Sequence, residues 1–174
     1  MKLFKKKHIF IVLGAGILSS AYSEEGLHKE PAQGKVYFYK KSNGVDREIE
    51  VFFPKGHDPS RKPGPGIIMF HGGGWGGGSR KQFQPLCRYF ASRGVVAATV
   101  TYQLASKSWK GEGSRKRVCI TDAKSAIRWY KEHAADLGID PLRIVAGGGS
   151  AGGHISLLAT PNPGRSAWWA LTFT

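Results

Sequence analysis

Three short, mostly apolar segments constrain the fold of this chain more than any other feature of its sequence. They occupy residues 66–70, 95–101 and 142–146, and the first of them is continuously apolar. A segment of this length and composition is typical of a strand that is buried on both faces of its sheet. Segments with helical periodicity separate and follow these runs, at residues 82–93, 121–137 and 151–159. Alternating strands and helices with short connections predict an α/β fold in which the sheet is mostly parallel.

Turn-forming and capping residues mark the ends of these elements. Two β-rich runs at residues 36–40 and 48–53 flank a turn-forming cluster at residues 42–44, which predicts an antiparallel pair of strands. Thr121 and Gly138 are predicted to begin and end the long second helix. The predicted sheet therefore starts with an antiparallel pair and continues with parallel strands.

The N-terminal residues have the composition of an export signal. Lysines at positions 2, 5, 6 and 7 precede an apolar stretch at residues 9–18, and the small residues Ala21 and Ser23 mark a cleavage site. The apolar stretch is far shorter than the ~20 residues that a membrane-spanning helix needs. We therefore expect a signal peptide, no stable membrane span after its cleavage, and a periplasmic or extracellular location. The expected divisions are a signal peptide at residues 1–23, a flexible leader at 24–34, one partial α/β domain at 35–160 and an atypical tail at 161–174.

The composition limits the kinds of partner. The chain has 174 residues, of which 41% are apolar, and this is enough for one domain with its own core. Its formal net charge of +14 permits an anionic partner, but the basic residues are scattered except for short runs at residues 61–62 and 115–117. We therefore predict no nucleic-acid binding. The cysteines Cys87 and Cys119 leave one disulfide and two buried free thiols as equal alternatives.

A serine flanked by glycines lies between the third apolar run and the helix after it. Residues 148–152 match the pattern G-x-S-x-G with Ser150 at its centre, in the strand-to-helix context that this motif requires. The turn is so tight that side chains at Gly148 and Gly152 would collide with the surrounding backbone. The serine hydroxyl is therefore predicted to be exposed on a strained turn, beside the free N–H groups of a helix N-terminus.

A second glycine-rich sequence follows the first apolar run. Residues 71–75 read HGGGW, so a loop rich in accessible N–H groups leaves the end of a buried strand. Glycine here allows a substrate oxygen to approach the main chain, whose N–H groups can bind a developing oxyanion. The two motifs, each at the end of a buried strand, predict acyl transfer with Ser150 as the nucleophile.

On these residues the sequence resembles the hormone-sensitive-lipase-like branch of the α/β-hydrolases, which includes esterases, lipases and acetylxylan or feruloyl esterase-like members. The resemblance covers about residues 36–158 and rests on residues 71–75, 122–129 and 148–153. It implies the N-terminal half of an α/β-hydrolase fold and hydrolysis of a small-molecule or carbohydrate-linked carboxylic ester, with no cofactor and no metal. The residues implied are the nucleophile Ser150, an oxyanion hole of the Gly73, Gly74 and Ala151 N–H groups, loop support from His71, Gly72 and Trp75, and the elbow glycines Gly148 and Gly152. In this resemblance His71 braces the loop and is not the base.

The sequence departs from this family after the serine motif. In the family an acid and then a histidine follow the nucleophile, each after a later strand. This sequence has no acidic residue beyond Asp140, and its only later histidine, His154, lies about one helical turn past Ser150 and is expected to point away from it. We interpret the chain as truncated after the elbow, with a frameshift as one explanation. Such a fragment is expected to be nearly inactive and to expose the edge of its elbow strand.

Other functions fit parts of the sequence less well. The glycines at positions 147, 149 and 152 also match a dinucleotide-binding fingerprint, but no acid follows ~20 residues later. Residues 73–81 lack the ending of a phosphate-binding loop, and no metal-ligand spacing is present. Two alternative functions stay open. One is a basic exported polysaccharide-binding protein that stacks sugars on its tryptophans, and the other is a degenerate, non-catalytic remnant. The oligomeric state also stays open. The tryptophans are Trp75, Trp109, Trp129, Trp168 and Trp169.

Overall fold

The computed structural model describes residues 34–111, 113–160 and 170–173. The predicted signal peptide, nearly all of the leader and most of the tail lie outside the described residues. The strands are β1 Gly34–Ser42, β2 Val45–Phe52, β3 Gly64–Phe70, β4 Val96–Val100, β5 Ile139–Gly149 and β6 Ala170–Phe173. The helices are α1 Gln84–Ser92, α2 Arg115–Glu132 and α3 Ala151–Ala159, with a 3₁₀ turn at Arg80–Phe83 before α1. Among the helices of the described residues, none has the length and apolar composition that a membrane span requires.

The six strands form one sheet in the order β1-β2-β4-β3-β5-β6. β2 pairs antiparallel with both β1 and β4, and the other three strand pairs are parallel. The prediction of an α/β fold with a mostly parallel sheet and an antiparallel N-terminal pair is therefore confirmed. Asn43 and Gly44 connect β1 to β2, and both have the positive φ values that suit a tight hairpin.

The sheet continues beyond the strand that carries the serine motif. β6 pairs in parallel with β5, opposite residues 146–149. The expectation that the edge of the elbow strand, β5, is exposed is therefore wrong along residues 146–149. A strand of 4 residues is too short to show an alternating sequence pattern, and it forms because the edge of β5 offers backbone donors and acceptors.

Both faces of the sheet are packed. Along β3, Ile68 and Phe70 belong to the core cluster that includes residues of α2 and α3, whereas Ile67 and Met69 belong to the cluster that includes residues of α1. Successive residues of a strand point to opposite faces, so β3 is buried on both, as its continuous apolar run predicts. The serine motif thus stands on a sheet that is rigid at its centre.

The two cysteines lie in different core clusters. Cys119, on α2, belongs to the cluster that also includes Ile155 of α3, whereas Cys87, on α1, belongs to the cluster on the other face of the sheet, and both are free thiols. Of the two alternatives, the structure therefore has two buried thiols and not a disulfide. Burial raises the pKa of Cys119 to about 11 and also raises the pKa of Cys87, so neither thiol is a reactive thiolate at neutral pH.

Helix α2 begins before Thr121. Ser114 is its N-cap residue, and the Ser114 hydroxyl accepts a hydrogen bond from the Arg117 N–H. Thr121 lies inside the helix, where its hydroxyl donates to the Arg117 carbonyl group. The prediction of Thr121 as the cap is wrong because the first turn is basic and partly exposed, so it carries none of the apolar periodicity that marks the rest of the helix. The helix also ends earlier than predicted, since residues 133–137 form a turn.

Candidate active site

The serine of the G-x-S-x-G motif lies at the turn between β5 and α3. Ser150 is the N-cap residue of α3, with φ 51° and ψ −120°. Such backbone geometry costs a non-glycine residue on the order of 1–3 kcal/mol. Ser150 is exposed, whereas Ala151 and Gly152 after it are buried. The serine therefore stands at the carboxyl edge of the sheet, beside the N–H groups of the first turn of α3, which have no acceptor within the helix.

The turn leaves no space for side chains on either side of the serine. A Cβ atom at Gly148 would lie 2.4 Å from the Phe70 carbonyl oxygen, and one at Gly152 would lie 2.0 Å from the same oxygen. A Cβ atom at Gly152 would also lie 2.5 Å from the His71 carbonyl oxygen. All of these are backbone atoms, so no side-chain rotation relieves the contacts. Gly148 and Gly152 thus bring β5 and α3 directly against the end of β3.

The HGGGW loop leaves β3 next to this turn. A Cβ atom at Gly72 would lie 3.4 Å from the Ser150 Cβ atom and 3.0 Å from the Gly149 carbonyl oxygen, so the two segments are in close contact. The residues 73–75 have positive φ values of 123°, 59° and 65°. Glycine adopts such values readily, but they are strained at Trp75. The surrounding structure must therefore hold the loop in this conformation.

Every carbonyl group of the loop accepts a hydrogen bond from the protein. The His71 carbonyl group accepts from the Tyr102 hydroxyl at 2.6 Å, and the Gly72 carbonyl group accepts from the His71 Nδ1–H at 2.7 Å. The Gly73 carbonyl group accepts from the Gly76 and Gly77 N–H groups at 3.2 and 2.9 Å. The Gly74 carbonyl group accepts from the Arg115 guanidinium at 2.9 Å, and the Trp75 carbonyl group accepts from the Ala105 N–H at 2.8 Å. In addition, the Gly72 N–H donates to Gln82 Oε1 at 2.7 Å. The carbonyl side of the loop is therefore bound by its own fold.

Fixing the carbonyl groups also fixes the N–H groups of the same peptides. In a planar trans peptide the N–H of one residue points away from the carbonyl group of the residue before it. The Gly73 and Gly74 N–H groups therefore point away from the donors that bind the Gly72 and Gly73 carbonyl oxygens. Neither N–H group has an acceptor in the described part of the chain. Together with the Ala151 N–H at the start of α3, they are three donors that have no acceptor within the described residues.

His71 is buried beneath the loop, with 2% of its surface exposed. Its ring stacks on Tyr102 with 4.3 Å between centroids, and its Nδ1–H donates to the Gly72 carbonyl oxygen. Burial lowers the pKa of His71, and the hydrogen bond to Gly72 opposes this only in part, so the ring is neutral at pH 7. None of the described contacts of its ring is with Ser150. These contacts are those of a residue that supports the loop.

The described residues supply Ser150 with no general base. Its hydroxyl group has no hydrogen-bond partner among them. The His154 N–H donates to the Ser150 carbonyl oxygen at 3.1 Å, as helix geometry requires. The His154 ring packs edge-on against Trp75 with 5.6 Å between centroids, and its Nδ1 atom is buried without a partner in the described part of the protein. No carboxylate among these residues orients the His154 ring.

Asp122 is a buried carboxylate that is already engaged. Its side chain is 4% exposed and forms ion pairs with Lys40 at 2.8 Å and with Arg47 at 3.4 Å. It also accepts the Gln103 N–H at 2.8 Å. Asp122 therefore ties α2 to the first hairpin and to residues 102–105, which hold the HGGGW loop. It is an anchor of the scaffold and is not free to orient a histidine beside the serine.

The residues that hold the loop carry no motif of their own. Tyr102 and Arg115 lie 31 and 41 residues from the loop residues that they bind, and both follow β4, the neighbour of β3. Gln82 is nearer in the sequence, 10 residues from Gly72. Arg115 entered the sequence analysis only as part of a basic run. A cation in the first turn of a helix opposes the helix dipole, and this was the one signal that could have singled it out. The wrong start of α2 hid that signal.

Two of the three described tryptophans, Trp75 and Trp129, pack against other side chains. The Trp129 ring packs against the rings of His133 and Tyr37, with centroid distances of 4.2 and 5.4 Å. Trp75 packs against His154 and lies beneath the Lys116 ammonium group. The tryptophans at positions 168 and 169 lie outside the described residues. The described structure therefore adds no support for the polysaccharide-binding alternative, and it contains no cluster of three or more side chains that could hold a metal ion.

Several known proteins are similar to this chain in sequence. The family model described as BD-FAE matches residues 49–165. Carboxylesterase NlhH of Mycobacterium tuberculosis is 39% identical over 113 residues, which cover 64% of this chain and 33% of that protein. The probable carboxylic ester hydrolase LipM of the same organism is 35% identical over 166 residues, which cover 80% of this chain and 36% of that protein.

Solved structures show the same similarity. The thermophilic esterase Est2 of Thermogutta terrifontis with bound propionate is 38% identical and superposes with a TM-score of 0.70, covering 84% of this chain and 56% of that chain. Esterase 2 of that organism, phosphorylated by paraoxon, is 42% identical with a TM-score of 0.65, covering 73% of this chain and 47% of that chain. The chain spans about a third of the length of these curated relatives and about half of the length of these solved structures.

Proposed function

Because this chain belongs to the BD-FAE family of hormone-sensitive-lipase-like α/β-hydrolases, we propose that it hydrolyses carboxylic esters with Ser150 as the nucleophile. The observation that carries the proposal is the close contact between a strained, exposed serine and a loop whose carbonyl groups are all bound elsewhere. Such a loop leaves N–H donors beside the serine. An ester carbonyl needs donors of this kind when its oxygen becomes negatively charged.

In the proposed reaction the Ser150 oxygen attacks the ester carbonyl carbon, and the hydroxyl proton passes to a solvent water molecule as the new C–O bond forms. The N–H groups of Gly73, Gly74 and Ala151 stabilise the negative charge that develops on the carbonyl oxygen. Collapse of this intermediate breaks the bond to the alcohol oxygen, which takes a proton from water, and leaves an acyl-serine. A second water molecule then attacks the acyl-serine, which releases the carboxylic acid and restores the Ser150 hydroxyl group. His71 takes no proton in this scheme, because its ring is buried beneath the loop and contacts Tyr102 and Gly72.

The general base is the part of the reaction that the described residues do not supply. We therefore propose that this chain by itself turns esters over slowly. When triad members are removed from a serine hydrolase, oxyanion donors and substrate binding still leave an acceleration of about 10³ to 10⁴ over the reaction in water. The activity that we expect is accordingly weak, but it depends on Ser150.

The proposed substrate is a short-chain or carbohydrate-linked ester outside the cytoplasm. Est2 of Thermogutta terrifontis has solved structures with bound propionate and with bound butyrate, which supports a short acyl group for this relative. The lysine-rich N-terminal segment, followed by apolar residues and a small-residue cleavage site, supports export to the periplasm or the extracellular space.

The test measures hydrolysis of p-nitrophenyl butyrate by the purified chain, with Ser150→Ala as the matched control for surface-catalysed hydrolysis. Paraoxon is the second probe, because it phosphorylates esterase 2 of Thermogutta terrifontis. Peptide mass spectrometry should then find a diethyl phosphate group on Ser150. Weak turnover that Ser150→Ala abolishes, together with this label, supports the proposal.

Equal turnover by the two proteins and no label on Ser150 would contradict the proposed nucleophile. Turnover at the rate of an ordinary esterase, abolished by Ser150→Ala, would instead contradict the missing base. In that case His154 or a second chain would have to supply it, and replacing His154 would separate the two.

A further inference from the structure

We infer that Arg115 is a positioning residue for the proposed oxyanion loop, because its guanidinium joins the loop to the segment after β4. Arg115 Nη2 donates to the Gly74 carbonyl oxygen at 2.9 Å, and Arg115 Nε donates to the Ala105 carbonyl oxygen at 2.7 Å. One side chain thus holds two loops that leave neighbouring strands. The inference rests on the proposed function, in which the N–H groups of this loop bind the reacting carbonyl oxygen.

Of the three carbonyl groups at residues 73–75, only that of Gly74 depends entirely on a side chain. The Gly73 and Trp75 oxygens accept from main-chain N–H groups, and the Trp75 oxygen also accepts from the Cys119 thiol at 3.5 Å. The oxygens of residues 71 and 72 accept from the buried side chains of Tyr102 and His71. Within the described residues, the Gly74 oxygen accepts only from Arg115. Gly74 is also free of packing, since a Cβ atom there would meet nothing within 4 Å. Removing the guanidinium would therefore leave this peptide without a direct restraint.

Movement of the peptide that contains the Gly74 carbonyl group would displace the proposed oxyanion donors. The Gly74 residue joins two peptide planes, one with its N–H and one with its carbonyl group, through a single pair of dihedral angles. Trp75 has a φ of 65°, which is strained for a residue other than glycine and favours relaxation once the restraint is gone. The Ala105 N–H still binds the Trp75 carbonyl oxygen at 2.8 Å. We expect a loosened loop that keeps its overall path.

Arg115 lies at the N-terminus of α2, where a positive charge is unfavourable. It is the first residue of the helix, and no acidic residue occurs in the first turn. A cation there is unfavourable because of the helix dipole, whereas hydrogen bonds from a charged donor are stronger than those from a neutral donor. Lys116 lies 4.9 Å from the centroid of the Trp75 ring. Two successive basic residues therefore contact two successive residues of the loop, and these contacts outweigh the unfavourable position.

The test uses two substitutions and one matched control. Arg115→Met removes the guanidinium and keeps an apolar stem, and Arg115→Lys keeps the charge but not the pair of fixed donors. Arg117→Met removes the same charge from the same helical turn, where the side chain is exposed and bonds no loop residue. Circular dichroism and thermal unfolding establish that each variant is folded.

Two rates are compared among these proteins. Hydrogen exchange of the peptide that covers residues 71–78 should be roughly tenfold faster in Arg115→Met, with no change in peptides from β4 and α3. Paraoxon phosphorylation of Ser150 should be slower. Removing one oxyanion donor costs ~10²- to 10³-fold in rate, so loosening one should cost roughly tenfold. Arg115→Lys should lie between Arg115→Met and the unsubstituted chain, and Arg117→Met should match the latter in both measurements.

Unchanged exchange and phosphorylation rates in folded Arg115→Met would overturn the inference. Equal effects of Arg115→Met and Arg117→Met would also overturn it, because charge rather than the hydrogen bonds would then be responsible. Unfolding of both Arg115 variants would overturn it too, since the arginine would then serve the whole fold. Absence of phosphorylation in the unsubstituted chain would contradict the proposed function instead, and hydrogen exchange would still decide the role of Arg115.

Discussion

Replacing Gly152 with alanine tests whether the turn around Ser150 depends on direct backbone contact with the end of β3. The new Cβ atom would lie 2.0 Å from the Phe70 carbonyl oxygen, 2.6 Å from the Phe70 carbonyl carbon and 2.5 Å from the His71 carbonyl oxygen. The start of α3 must move by at least about 1 Å before the shortest of these contacts reaches 3.0 Å, the lower limit for a Cβ contact. Neither partner can give way, because both oxygens are held in the sheet or by Tyr102.

Two effects of opposite sign decide the change in stability. Alanine is favoured over glycine by about 1 kcal/mol in a helix interior, so without a clash the substitution would stabilise α3. Overpacking costs about 1–3 kcal/mol, and three backbone contacts place this site at the upper end. The expected net loss in the free energy of unfolding is about 2 kcal/mol. A displacement of about 1 Å at Ser150 should also lower the serine-dependent ester turnover roughly 10²-fold.

Urea titration followed by circular dichroism measures the free energy of unfolding of Gly152→Ala, and p-nitrophenyl butyrate measures its turnover. Gly44→Ala is the matched control, because Gly44 has a φ of 73° in the β1–β2 turn and a Cβ atom there would meet nothing within 4 Å. It should cost only the backbone strain, about 1 kcal/mol, and leave turnover unchanged. A Gly152→Ala protein at least as stable as the unsubstituted chain would refute the reasoning, because only helix propensity would then remain.

Three further perturbations test the scaffold beneath the loop, each by urea titration. Tyr102→Phe keeps the ring that stacks on His71 and removes the hydroxyl that donates at 2.6 Å, so it should cost about 1 kcal/mol; an unchanged stability would show that this bond contributes nothing. Asp122→Asn leaves Lys40 and Arg47 without a carboxylate and should lower the free energy of unfolding by about 2–3 kcal/mol. This is at the lower end for a buried ion pair because the Lys40 side chain is 25% exposed. A loss under about 1 kcal/mol would contradict the role of Asp122 as an anchor. Burial lowers the pKa of His71 from its ordinary value of 6.5. Between the folded and the unfolded pKa values, the unfolded chain therefore binds a proton that the folded chain does not. The stability that is present above pH 6.5 should be lost as the pH falls through the folded pKa. His71→Gln should reduce this pH dependence, and equal slopes for the two proteins would argue against it.

The parts of the fold that were predictable are those in which burial is visible in the local sequence. β3 faces a different core cluster on each side, and only an uninterrupted apolar run satisfies both. Helix α3 begins at Ala151 as predicted, because the serine motif requires a helix directly after it. The start of α2 and the whole of β6 were not predictable in this way. The first turn of α2 is basic, so it lacks apolar periodicity. β6 pairs with the main chain of β5, and such pairing requires no particular residue types.

The candidate site also has a part that could be predicted from the local sequence and a part that could not. Ser150 and its flanking glycines could be located from the sequence because a tight turn restricts the residue types within it. The side chains that restrain the HGGGW loop could not. Tyr102 lies 31 residues from His71 and Arg115 lies 41 residues from Gly74, so their contacts exist only after the sheet has formed. No local pattern distinguishes such a tyrosine or arginine from one on the surface.

The loop is therefore held from its carbonyl side, while its proposed chemistry uses the N–H side. Each peptide plane joins the two sides, so a donor that binds a loop carbonyl oxygen also directs the N–H group of the next residue. Arg115, Tyr102 and, through residues 102–105, Asp122 all act on the carbonyl side. Substitutions at these residues should alter the reactivity of Ser150 without touching a substrate. Their effects should also be non-additive, because all three restrain one loop of the same few peptides.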